Sequence, residues 1–94
     1  MTRLNPEACR FRPAANVHAR RLGKELVLLD FANGEYFSLD ETGTVVWERC
    51  VDGATISEIA ECLVARYNVQ MSDALHDVSA LARELLERGL LVTD

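Results

Sequence analysis

The sequence predicts an α+β fold of winged helix-turn-helix-like outline, with an N-terminal three-stranded antiparallel sheet followed by three helices. Three observations predict it. Leu26 to Leu39, LVLLDFANGEYFSL, carries an apolar run, turn-forming Asn33-Gly34 and then Tyr36 and Phe37, which is a strong hairpin signal. Three stretches of helical apolar spacing follow it, each with its own start or stop residues. No repeat, low-complexity tract or long linker divides the chain, and its 94 residues suffice for one core.

The N-terminal segment differs from the rest in charge. Residues 1–24 hold six basic side chains against one acidic, a net +5, whereas the remainder carries a net −10, giving −5 for the whole chain. Residues 1–16 therefore read as a basic arm and residues 17–94 as the folded domain, with a first strand near Val17 to Leu22. MTRLNPEACRFRPAAN has no apolar stretch of signal-peptide length, and no later apolar run could span a bilayer. A cytoplasmic protein without membrane contact is the expectation.

In the hairpin, a two-residue turn at Asn33-Gly34 would set Asp30 opposite Phe37 and mix polar with apolar side chains on each face. A three-residue loop, Ala32-Asn33-Gly34, instead sets Leu29 opposite Phe37 and Val27 opposite Leu39. That register gathers Val27, Leu29, Phe31, Phe37 and Leu39 on one face, with Asp30, Tyr36 and Ser38 on the other, and is preferred.

Asp40 can cap the first helix, which places Gly43, Val46, Trp47 and Cys50 on one side and stops at Asp52-Gly53. Thr55-Ile56-Ser57-Glu58 is a capping box, and Ile56, Ile59, Ala60, Leu63, Val64 and Tyr67 keep a helical stripe behind it. The third helix begins at Ser72 or Asp73 and runs to Arg88, with Leu75, Val78, Leu81, Ala82, Leu85 and Leu86 as its apolar stripe. Gly89 stands where a helix commonly stops in a left-handed conformation, and Leu90 to Val92 can add a short strand.

The residue types offer little for catalysis. Cys9, Cys50 and Cys62 form no C-x-x-C pair and have no histidine at ligand spacing; Cys50 and Cys62 fall on apolar helix positions as small hydrophobes. His18 and His76 belong to no nucleophile–base arrangement, and neither a phosphate loop nor a cofactor motif is present, so no enzyme and no cofactor are expected. DNA reading by the third helix is disfavoured on charge, because residues 73–88 carry Asp73, Asp77, Glu84 and Glu87 against Arg83 and Arg88. A DNA-binding regulator using the winged fold and the basic arm is the alternative reading; otherwise no nucleic-acid partner is expected. The outer edge of the strand Glu35 to Leu39 is the remaining feature. It could accept an extended peptide, be blunted by Tyr36 and Glu35, or pair with itself in a weak dimer of an otherwise monomeric protein.

The ordered set Val27-Leu28-Leu29-Asp30, Gly34-x-Tyr36-Phe37-x-Leu39, Asp40-x-x-Gly43, Val46-Trp47, Asp52-Gly53-x-Thr55, Asp77-Val78 and Arg88-Gly89-Leu90 resembles the PqqD family of peptide-binding proteins. These are recognition elements of pathways that modify ribosomally made peptides, and the resemblance covers residues 26–91. It implies that the leader of a precursor peptide adds as a strand beside Tyr36, Phe37, Ser38 and Leu39. The leader would lie against Asp77, Val78, Ala80, Leu81 and Glu84 of the third helix, the acidic ones facing a basic leader residue. Phe37, Leu39, Val78 and Leu81 can serve the core or the groove. The resemblance further implies a non-catalytic peptide chaperone that presents its guest to a maturation enzyme, either the leader peptidase of a lasso-peptide pathway or a radical-SAM enzyme.

Overall fold

The computed structural model describes residues 8–93. Five strands and three helices follow in the order β1 (Phe11–Pro13), β2 (Val17–Leu22), β3 (Glu25–Asp30), β4 (Glu35–Leu39), α1 (Glu41–Val51), α2 (Ile56–Tyr67), α3 (Met71–Glu87) and β5 (Leu91–Thr93). β2, β3 and β4 form an antiparallel sheet in chain order, as expected, and β1 pairs with β5 in a separate two-stranded ladder. β1 lies within the stretch that charge alone sets apart as an arm, and its Phe11 is buried in the core.

The β3–β4 hairpin departs from both registers considered. Leu26 faces Leu39, Leu28 faces Phe37 and Asp30 faces Glu35, so the loop has four residues, Phe31 to Gly34. Leu26, Leu28 and Asp30 consequently point inward with Phe37 and Leu39, while Val27 and Leu29 share the outer face with Tyr36 and Ser38. Phe31, expected on the buried face, is exposed and packs its ring against His18.

The carboxylate of Asp30 explains the difference. Its Oδ1 accepts from the backbone N–H of Ala32 at 3.1 Å and of Asn33 at 3.3 Å, and from the Asn16 amide at 2.6 Å; its Oδ2 accepts from the Asn33 side chain at 2.8 Å. An aspartate that satisfies its own loop can be turned inward, because its acceptors are all occupied. The Asn33 amide, more than any other contact, holds the Asp30 carboxyl below its ordinary pKa. Register is thus set by loop chemistry, and the run Leu26-Val27-Leu28-Leu29 is apolar in either phase.

The helices are delimited as their sequences predict. Asp40 Oδ1 accepts from Gly43 N at 2.8 Å to cap α1, and the Thr55–Glu58 capping box of α2 is closed in both directions. α3 starts slightly earlier than expected, after Gln70, and ends with Gly89 at φ 73°. There Leu90 N–H donates to the Leu85 carbonyl and Gly89 N–H to that of Leu86, the paired bonds that close a helix on a left-handed residue. The core joins the inner sheet face (Leu26, Leu28, Leu39) to Val46, Trp47 and Cys50 of α1, Ile59 and Leu63 of α2, and Val78, Ala82 and Leu85 of α3. Burial pushes the Cys50 thiol up to about 11, leaving it a packed hydrophobe at neutral pH. No helix among the described residues is long and apolar enough to cross a membrane.

Candidate peptide-binding groove

β4 pairs with β3 on one side and, among the described residues, with no strand on the other. Its free row of N–H and C=O groups borders a groove of about 530 Å³. β4 contributes Phe37, Ser38 and Leu39; the α1 cap and first turns contribute Asp40, Thr42, Gly43 and Val46; α2 adds Leu63, and α3 adds Asp77, Val78 and Leu81. The floor is the outer skin of the core, since Leu39, Val46, Leu63 and Val78 are each at most 3% exposed. Leu39 and Val78 therefore serve core and groove together, and Phe37 and Leu81, half-buried, face both.

Gly43 shapes the end of the groove where β4 passes into α1. A Cβ at this position would lie 3.1 Å from Leu39 Cδ2 and 3.2 Å from Asp40 Oδ1, so only glycine lets the first turn of α1 settle against Leu39 without displacing either. β4 and α3 run in opposite directions across the groove. Leu39 and Asp40 share it with Asp77 and Val78, while at the other end the Arg88 guanidinium sits 4.7 Å above the ring of Phe37.

Of the residues expected from the sequence, Phe37, Ser38, Leu39, Asp77, Val78 and Leu81 come together along this groove. Tyr36 lies on the outer sheet face, 71% exposed, at a small crevice shared with Asp30, Glu35, Phe37, Arg88 and Leu90. Ala80 and Glu84 are exposed on α3 and do not line the groove; Glu84 accepts from Arg88 Nε at 3.3 Å and so meets the site only through that arginine. Asp40, Thr42, Gly43, Val46 and Leu63 were not anticipated. The Asp40-x-x-Gly43 cap was the available signal, because a helix capped directly after a strand must place its first turn at that strand's end.

Among the described residues no group of three or more His, Cys, Asp or Glu side chains could hold a metal ion. A three-stranded sheet feeding three helices, with a groove beside its last strand, is the arrangement that the resemblance to the PqqD family implies. The comparisons agree. Residues 25–91 match the family described as coenzyme PQQ synthesis protein D (PqqD), which is most of the chain. The fold is similar to that of a lasso peptide synthetase B1 complexed with the leader peptide, with a TM-score of 0.83 and 31% identity over 88% of this chain and 98% of that one. It is also similar to TbiB1 in complex with the TbiA(beta) leader peptide, with a TM-score of 0.81 and 29% identity over 85% and 93% of the two chains. No curated protein sequence matches the chain. The chain belongs to the PqqD family.

Proposed function

We propose that the protein is a non-catalytic recognition protein that binds the leader of a ribosomally synthesised precursor by strand addition to β4, in the groove against α3. The observation that carries this reading is the unpaired edge of β4 beside a groove with an apolar floor. Main-chain hydrogen bonds, each worth about 1 kcal/mol net, supply affinity that does not depend on guest sequence, and alternate guest side chains enter the groove to supply selectivity. The two similar solved structures, both complexes with leader peptides, support the same reading.

Holding the leader turns a maturation enzyme's encounter with the core peptide into a tethered event at raised effective concentration. The enzyme served is a leader peptidase of lasso-peptide type or a radical-SAM enzyme; likeness to lasso peptide synthetase B1 favours the former. The test is fluorescence anisotropy with a labelled leader from a small open reading frame beside the gene, a scrambled leader and a duplex DNA as controls. Saturable binding of the true leader alone, persisting at moderate salt, is the expected result. Equal binding of the scrambled peptide, or tight salt-sensitive binding of the duplex alone, would overturn it.

A further inference from the structure

Arg88 stands where α3 ends, and its backbone is fixed there. Its N–H donates to the Glu84 carbonyl at 3.0 Å, Gly89 closes the helix in a left-handed conformation, and Leu90 and Leu91 beyond it are buried in the core. From that anchor the half-exposed side chain is steered twice. Its Nε donates to Glu84 Oε2 at 3.3 Å, and its guanidinium carbon sits 4.7 Å from the centroid of the Phe37 ring, well inside the range of a cation–π contact. The planar guanidinium suits both partners, since it can lie on a ring face while its edge meets a carboxylate.

The ring is where these contacts reach the groove. Phe37 lines the groove on one side, and on the other it walls the small crevice that Arg88 also lines, about 10 Å³, too little for a guest side chain. At the opposite end of the groove, Gly43 and the Asp40 cap settle α1 against Leu39. At the Phe37 end the corresponding tie is Arg88. We propose that Arg88, oriented by Glu84, is a positioning residue for peptide binding, which holds the Phe37 ring as an end wall of the groove so that the guest meets a wall already formed. The proposal rests on the peptide-binding reading above and adds to it the pair of residues that prepares the groove. Glu84, expected from the sequence to face the guest, instead steers Arg88. A ring free to swing would leave only a fraction of the molecules competent to bind, and the apparent dissociation constant rises by the inverse of that fraction.

The experiment is a double-mutant cycle read by anisotropy with the labelled leader, on the wild type, Arg88→Ala, Phe37→Leu and the double variant. Arg88→Lys and Glu84→Gln are measured alongside, and the urea midpoint of each protein is recorded. Arg88→Ala is expected to weaken leader binding about fivefold in the wild-type background and less than about 1.5-fold in the Phe37→Leu background, because a positioning residue has nothing to act on once the ring is gone. Arg88→Lys, which keeps the cation, should recover part of the loss, and Glu84→Gln should cost about twofold. Stopped-flow traces should place the loss in the association rate. Unchanged affinity in Arg88→Ala would overturn the proposal while leaving peptide binding intact. So would an equal loss in the Phe37→Leu background, which would mean that Arg88 touches the guest itself, or a loss that merely tracks a lowered urea midpoint. Failure of the wild type to bind the leader would overturn both.

Discussion

Among the described residues, β2 and β4 each leave one edge without a strand partner, yet what surrounds those edges is opposite in character. β2 carries Arg20 and Arg21, with Lys24 in the turn after it, and Arg21 is ion-paired across to Glu48 of α1. The cleft beside it, about 440 Å³, is lined by Glu48, Arg49 and Asp52 as well as Ala19, Leu26, Trp47 and Val51, and Arg49 pairs with Asp52 at 2.8 Å. Charged side chains, lysine and arginine above all, are how edge strands avoid unwanted pairing. In β4 the only charge is Glu35 at its start, and the apolar floor runs alongside. An unpaired edge is therefore common to both strands. What sets β4 apart is the lack of basic guards together with the apolar floor beside it.

That contrast can be broken most directly by placing one charge beside each edge. Leu81→Glu is expected to weaken binding of the true leader by about 100-fold or more with the helical CD signal retained, because it puts a carboxylate on the apolar wall that the guest must cover. Ala19→Glu, in the β2 cleft, should leave binding within about twofold, measured in the same anisotropy titration. Equal losses would show that the guest does not distinguish the edges. A finer probe is N-methylation of single leader amides. Loss of about five- to tenfold at every second position, and little between, is the pattern of one strand adding to β4.

Stability measurements sharpen the comparison further, since the position of the β4 edge depends on the loop that Asp30 organises. Asp30→Asn should lower the urea midpoint near neutral pH. The Asp30 carboxyl is held below its ordinary 3.8, and Glu58 below its ordinary 4.5, the latter chiefly by the backbone N–H of Thr55. A depressed folded-state pKa adds stability above the unfolded value and loses it as pH falls through the folded one. The gap between wild type and Asp30→Asn, full near neutrality, should thus close below about pH 4 in urea titrations taken at successive pH values. The smallest effect belongs to the guarded edge. Arg21→Ala removes an ion pair whose partners are 52% and 43% exposed, so chemical denaturation should register less than about 1 kcal/mol, with leader affinity unchanged.

Legibility in the sequence followed the same division between local chemistry and tertiary placement. Caps, stops and helical stripes were readable because each is decided within a few residues; Asp40, the Thr55–Glu58 box and Gly89 all act where their spacing indicated. The hairpin register was not, because four consecutive apolar residues carry no phase and Asp30 was assigned outward by polarity. Its proximity to Asn33 contained the answer, in the form of a carboxylate able to bond its own loop. The strand and α3 walls of the groove were suggested by the family pattern, whereas Asp40, Thr42, Gly43, Val46 and Leu63 depend on how α1 and α2 pack against that strand. Phe11 escaped notice for a related reason. Flanked by Arg10 and Arg12 it looks like part of a solvated tail, and its burial follows from the tertiary packing of β1 beside β5 and against α1, which puts Phe11 in the core.

The β1–β5 ladder brings Phe11 against Thr93 and Pro13 against Leu91, and Ala14 N–H donates to the Leu90 carbonyl at 3.0 Å. The start of β1 and the end of β5 thus lie side by side, as if at one doorway. Insertion into another protein's loop calls for neighbouring strand ends, and the β1–β5 pair supplies them at Phe11 and Thr93, with Cys9 and Arg10 just ahead tied to Ile56 and Thr55 at the start of α2. By the same geometry, joining the ends with a short linker and reopening the chain at the Gly23-Lys24 turn would yield a permuted protein whose β4 groove is made of the same residues in the same places.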